Sequence, residues 1–227
     1  MSRLDAAGIQ QLLTGRSATG LEKLEVFQSI ASTNSYLMAQ PAPPVGRFCV
    51  AVADHQTSGR GRHDRRWVSA PGAGLCLSVA YTFARGAAEI EGLTLAVGVG
   101  TIGALQQLDI DGVSLKWPND IVAVHRGHVL KVGGVLAESS LEGARLATTI
   151  VGIGVNVDWA RGDYPVDLAE SMWSLSEASG RRRIDRDALF AATTEATNNL
   201  EKLSEFLSGR VNCYNCRQAC PVCYCKG

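Results

Sequence analysis

The sequence has no surplus of charge: 22 basic residues balance 22 acidic ones. A neutral chain carries no long-range field toward nucleic acid or an anionic membrane, so any anion site must be local. A long apolar run is missing too. Met1 to Leu13 hold no apolar h-region, and the stretch from Gly92 to Leu105 is too short and too glycine-rich to span a bilayer. Neither a signal peptide nor membrane contact is expected, and the chain reads as soluble and cytoplasmic. Charged residues reach only 19% against 46% apolar. That excludes a disordered or coiled-coil protein and leaves enough apolar surface for one sizeable domain. Cysteine is scarce before the C-terminus. Cys49 and Cys76 sit alone in apolar runs, where a thiol behaves as a small buried hydrophobe.

Periodicity gives the elements. Leu4, Ile9, Leu12 and Leu13 predict a short helix over residues 4–14, with Gly15 as its C-cap. Residues 24–30 read as a strand, and the segment from Ser32 as a helix that stops before Pro41. Residues 47–55 and 74–83 read as buried strands. Between them residues 57–67 show turn chemistry without periodicity and are expected to be a loop. Residues 89–108 form the longest helical pattern, with Leu93, Val97, Gly100, Ala104 and Leu108 on one face. Strands follow at 113–117, 120–124, 128–138 and 145–157, with hairpin turns at Arg126-Gly127 and Glu142-Gly143. Residues 183–207 close the pattern as a helix, with Ile184 before an Asp cap. The predicted fold class is α+β: a mixed, largely antiparallel central sheet flanked by helices.

Four constellations carry candidate chemistry. Arg60, Arg62, Arg65 and Arg66 with Asp64 give +3 within seven residues, and Gly59 and Gly61 let the backbone approach a ligand. Arginine offers planar, permanently charged donors matched to phosphate or carboxylate. Read alone, such a segment is more often a solvated basic loop than an anion site. In Lys116-Trp117-Pro118-Asn119-Asp120, proline forces Trp117 to be extended and breaks the ladder, presenting Lys, Asn and Asp where two strands part. A carboxylate beside a phosphate-binding lysine suits Mg²⁺; an ordinary strand–turn–strand reads the same way. Lys131 in an apolar strand needs a partner for its ammonium, and Gly133 and Gly134 leave room for a ligand, or else mark a bulge. In Gly152-Ile153-Gly154-Val155-Asn156, an amide that could read a purine edge interrupts a buried strand, or ends it as a turn.

Ser32-Thr33-Asn34, Gln56-Thr57-Ser58-Gly59-Arg60-Gly61-Arg62, Arg65-Arg66-Trp67, the Lys116–Asp120 run, Lys131-Val132-Gly133-Gly134 and Gly152–Asn156 occur in that order. In this order they resemble the catalytic domain of the biotin protein ligases, from about Glu25 to about Leu207. The resemblance implies a class II synthetase-like domain that forms biotinyl-5′-AMP from biotin and ATP. It then transfers biotin to a lysine of a biotin carboxyl carrier protein. It implies that Ser32, Thr33, Asn34, Gln56, Gly59, Arg60, Arg62, Lys131, Gly133 and Gly134 serve biotin. Arg62, Arg65, Trp67, Lys116, Asn119, Asp120 and Asn156 would serve ATP. Lys131, Arg60 and Arg62 would be the catalytic cations, and Asp120 a ligand for Mg²⁺ with the phosphates. The same fold serves lipoate-type ligases, but Lys116–Asp120 together with Gly59–Arg62 favours biotin. A non-transferring biotin or adenylate binder is the other alternative.

Three features depart from the family pattern. Asp64 stands where a glycine often follows the basic stretch, and could pair with one of the arginines. Too few residues precede the match for the helix-turn-helix that some members carry, so no DNA binding is expected. After Leu207 the usual SH3-like domain gives way to a tail with Cys213, Cys216, Cys220, Cys223 and Cys225. Its spacing echoes zinc and iron–sulfur runs but completes neither. Residues 1–207 are therefore expected to form the catalytic domain, and 208–227 a disordered tail.

Overall fold

A computed structural model describes residues 4–82, 92–142, 145–180 and 183–197. The expected tail and the end of the last helix lie outside the described residues, as does the start of the long helix at 89–91. Helices α1 (Ala6–Leu12) and α2 (Gly15–Gly20) lead into β1 (Leu21–Phe27), α3 (Thr33–Met38) and β2 (Phe48–Ala53). Two short strands, β3 (Gly59–Arg60) and β4 (Arg66–Trp67), precede β5 (Gly74–Tyr81) and α4 (Leu93–Gln107). Then come β6 (Val113–Lys116), β7 (Asp120–His125), β8 (His128–Glu142), β9 (Arg145–Asn156), α5 (Leu175–Ala178) and α6 (Arg186–Thr197).

The large sheet has seven strands in the order β1-β2-β5-β9-β8-β7-β6. Only β1 and β2 run parallel; every other neighbouring pair is antiparallel. The expected mixed, largely antiparallel sheet is thus observed. Arg126 and Gly127 turn the β7–β8 hairpin with φ of 50° and 80°, the left-handed pair that a two-residue hairpin turn requires. The second hairpin differs from expectation by one residue. Glu142 still pairs with Arg145, so the link is residues 143–144, outside the described set.

Alternation decides what each face of the sheet packs against. Leu75, Leu77 and Val79 of β5 and Val151, Ile153 and Val155 of β9 point into one core with Leu93, Val97 and Leu105 of α4 and Leu189 and Phe190 of α6. The stripe on α4 is not quite the expected one. Thr101 and Leu105 are buried in place of Gly100 and Leu108, because Gly100 faces α6, where an added Cβ would meet Ala196 at 3.4 Å. α6 begins at its predicted cap: Asp185 accepts the Asp187 and Ala188 N–H groups at 2.9 and 3.2 Å. At the N-terminus the single expected helix is two, because Asp5 caps α1 and Gly15, at φ +53°, opens α2 rather than closing α1.

The opposite face is covered at one end by α3, whose Leu37 packs on Cys49, Ala51, Ala80 and Ile150. Elsewhere no described helix covers that face, and there the candidate site lies.

Candidate functional site

On the open face β5 and β9 present small residues: Cys76 and Ser78 on one strand, Gly152, Gly154 and Asn156 on the other. Above them is a cavity of about 670 Å³. Its remaining wall comes from α3, the β3–β4 hairpin, the β6–β7 turn, Lys131 and residues 134–136 of β8, and residues 168–172. The glycines are needed for space. A Cβ on Gly154 would lie 2.6 Å from Trp67 Cε2, and one on Gly152 would collide with the Asn34 amide. Trp67 therefore lies flat on the sheet, with its Nε1 buried and, among the described residues, without a hydrogen-bond partner.

The basic segment is not the irregular loop expected from its sequence. It is a hairpin, with Gly59 opposite Trp67 and Arg60 opposite Arg66. Strands two residues long carry no periodicity, which is why the pattern was silent. The residues that turn it are His63 and Asp64, at φ 55° and 58°, and not the glycines. Gly59 is required for closeness instead: its Cβ would sit 2.5 Å from the Trp67 carbonyl. Asp64 occupies a left-handed position that suits glycine, and among the described residues no ion pair joins it to an arginine.

At the α3 end, Ser32 caps the helix through the Ser35 N–H at 3.3 Å. The Thr33 N–H and hydroxyl both donate to Gln56 Oε1, at 2.7 and 3.0 Å. A backbone N–H can only donate, so the amide is fixed with its Nε2 left to donate elsewhere. The Ser78 hydroxyl lies 2.5 Å from Asn34 Oδ1 and 2.6 Å from Thr33 Oγ1, and Asn34 Nδ2 donates to Glu138 at 2.8 Å. Asn34, expected as a ligand contact, thus has its amide oxygen and one N–H engaged inside the protein while it still lines the cavity.

Lys131 finds its partner in Asp120, at 2.5 Å, and with 40% of its side chain exposed it is less buried than its apolar strand suggests. A bulge in β8 sets its direction. Gly133 pairs with Ile121 and Lys131 with Val122, so Val132 is the extra residue. Val132 and Gly133 both face the core, while Lys131 and Gly134 both line the cavity. The Lys131 backbone is held on its other edge by residues 171–173, through the Ser171 carbonyl and the Trp173 N–H, each at 2.8 Å. Asn156 donates to the Trp173 carbonyl at 3.1 Å, so its amide also supports that clamp.

Asn119 receives Arg62 Nη1 at 3.4 Å and donates to the Val135 carbonyl at 2.9 Å. The Trp117–Pro118 bond is cis. Lys116 stands apart. Register places it beside Asp120 on the same face, but it is exposed and does not line the cavity. Gly59 and Gly133 do not line it either; Ser32, Thr33, Asn34, Gln56, Arg60, Arg62, Arg65, Trp67, Asn119, Asp120, Lys131, Gly134 and Asn156 do. Ser78, Glu138 and Met172 carried no assignment. A lone serine in an apolar strand and a carboxylate ending one were the available signals; Met172 left none. Cys76 is a neutral thiol there, pushed up to about 11 by burial.

The sequence matches the model of the biotin/lipoate A/B protein ligase family over residues 26–156. The chain belongs to that family. It is 34% identical over 167 residues to the bifunctional ligase/repressor BirA of Salmonella typhimurium, covering 73% of this chain and 49% of that one. With the biotin–[acetyl-CoA-carboxylase] ligase of Mycobacterium tuberculosis it shares 33% identity over 184 residues, 79% of this chain and 65% of that one. It superposes on the biotin protein ligase of Aquifex aeolicus in complex with biotin and ATP with a TM-score of 0.65 and 30% identity, over 84% of this chain and 77% of the other. The chain spans about half the length of the BirA relative. No described helix is long and apolar enough to cross a membrane.

Proposed function

We propose that this family member activates biotin with ATP as biotinyl-5′-AMP and passes the biotinyl group to a lysine of a biotin carboxyl carrier protein. The observation that carries the reading is the meeting of Lys131, Arg60, Arg62 and Arg65 with the polar end of the pocket at α3 and Gln56, over one glycine floor. A carboxylate and a triphosphate must approach each other there, and both are anions. The cations lower that repulsion, and Lys131 gains most as charge develops at the α-phosphate. When biotin and ATP bind, Lys131 would exchange Asp120 for them. Gln56 Nε2 would donate to the ureido oxygen, and Trp67 would give adenine a flat surface. The hairpin would shield the labile anhydride from water.

Among the described residues no group of three His, Cys, Asp or Glu is placed to hold a metal. Asp120 fits Mg²⁺ only as one ligand beside substrate phosphates and water. Bound so, the ion would screen the phosphate charge. Lys116 would act at most on the outer phosphates, from beyond the cavity.

The test is transfer of labelled biotin from ATP and biotin to a purified carboxyl-carrier domain. Stable label on the acceptor lysine is the expected result. Adenylate formation without acceptor label would instead make the chain a non-transferring binder. The family profile spans both biotin and lipoate ligases, so lipoate belongs in the same assay; biotin should be the preferred acid.

A further inference from the structure

Glu138 is a carboxylate that the proposed chemistry leaves unused. It lies on the cavity side of β8 with its side chain only 24% exposed. Its two oxygens serve two different elements. Oε1 takes Arg60 Nη2 of the hairpin at 2.5 Å, and Oε2 takes Asn34 Nδ2 of α3 at 2.8 Å.

The hairpin needs such an anchor. Its ladder is two residue pairs long, far short of what stands alone in water. Its turn holds two non-glycine residues in the left-handed region. Beyond its entry, where the Thr57 and Ser58 N–H groups donate to the Ile30 and Ala31 carbonyls at 2.9 Å, its other side-chain ties are weak or local: Arg62 reaches Asn119 only at 3.4 Å, and Arg66 donates to the Thr57 carbonyl at 3.1 Å. Among the described residues Arg60 is the one arginine of the four in an ion pair. At the root, Trp67 rests on Gly154.

We infer that Glu138 is a positioning residue that latches the basic hairpin over the cavity through Arg60 and sets it in register with α3 through Asn34. Both partners are partly exposed, so the latch is modest and salt-sensitive. It holds the empty hairpin near its working place and still lets it lift for substrate. The consequence for adenylate retention rests on the proposed function; the latch itself does not.

Glu138→Gln separates the two contacts. Glutamine keeps an oxygen for the Asn34 N–H but offers Arg60 no charge. Hydrogen exchange is read on the ligand-free full chain at the Gly61 N–H, which donates across the hairpin to the Arg65 carbonyl at 2.7 Å. We expect exchange about two- to fivefold faster in Glu138→Gln and in Arg60→Ala. The double variant should be no faster than Arg60→Ala alone, and salt should bring the wild type toward the variants. The second readout is release of biotinyl-5′-AMP after a single turnover, expected to quicken by a similar factor. Unchanged Gly61 exchange in Glu138→Gln, or additive effects in the double variant, would overturn the latch. So would a defect in Glu138→Ala that Glu138→Gln restores, since the Asn34 contact would then carry the effect. Faster exchange in a chain that forms no adenylate leaves the latch standing and removes the proposed function instead.

Discussion

The two faces of β5 and β9 are built from the same strands by opposite rules. Leu75, Leu77, Val79, Val151, Ile153 and Val155 fill the face under α4 and α6, each almost fully buried. Two residues out of every four turn the other way, and there the side chains shrink to Cys76, Ser78, Gly152 and Gly154. One face stabilises the fold by apolar volume. The other makes a cavity by leaving volume out, and the fold can tolerate that only because the first face is complete. The comparison teaches that function and stability are assigned to alternate residues of the same strand, so neighbouring substitutions should separate them.

The sharpest separation is expected at Lys131. Lys131→Ala should lower biotin-dependent ATP–pyrophosphate exchange by about 10²- to 10³-fold while biotin binding remains measurable, because the charge counts most in the transition state. Melting should hardly move, since the Asp120 pair is partly exposed. Wild-type exchange in this variant would remove Lys131 from the mechanism.

Ile153→Ala tests the opposite face. Ile153 is 1% exposed between α4 and the sheet, and its loss should cost about 2–4 kcal/mol by denaturant unfolding, from lost burial plus the cavity left behind. KM values should stay close to wild type under conditions where the variant is folded. A specific loss of biotin affinity would break the division between the faces.

Gly154→Ala, one residue further along, should do the reverse. The new methyl meets the Trp67 ring, so the ring must tilt. KM for ATP should rise about tenfold, in line with the cost of misplacing a binding group by a fraction of an ångström. Unfolding free energy should fall by about 1–2 kcal/mol, the overpacking cost of a methyl against a partly exposed ring and less than at Ile153. An unchanged KM would show that Trp67 does not carry adenine.

Asp64→Gly is the smallest effect. It relieves a left-handed aspartate and should stabilise by about 0.5 kcal/mol, the steric gain being partly offset by the entropy of a freer unfolded chain. Exchange at the hairpin amides should slow. A lower melting temperature would mean that Asp64 has a favourable contact in the folded protein.

The sheet and its site motifs were legible because alternation reports which face a residue takes. The Gly152–Asn156 run is legible in this way; Lys131-Val132-Gly133-Gly134 reads as a strand too, but the bulge at Val132 breaks its alternation, so the faces of Lys131 and Gly134 do not follow from the pattern. Alternation does not report distance: Lys116 shares a face with Asp120 but does not line the cavity. Nor does it reveal where an amide is spent. Asn34 and Asn156 read as ligand contacts and line the cavity, and each also gives one amide N–H to the protein, to Glu138 and to the Trp173 carbonyl. Those partners lie 104 and 17 residues away in the chain. The hairpin and the clamp of residues 171–173 on Lys131 were illegible for a related reason, being too short or too irregular to leave a period.

The measurement that tests the account most directly is ATP–pyrophosphate exchange driven by biotin, with lipoate in parallel, on the purified full chain. The cavity built on Gly152 and Gly154 under Lys131 predicts exchange with biotin, and little with lipoate at the same concentration. Absence of exchange with either acid, in protein that is folded and binds biotin, would contradict the assignment of the glycine-floored face to adenylate chemistry.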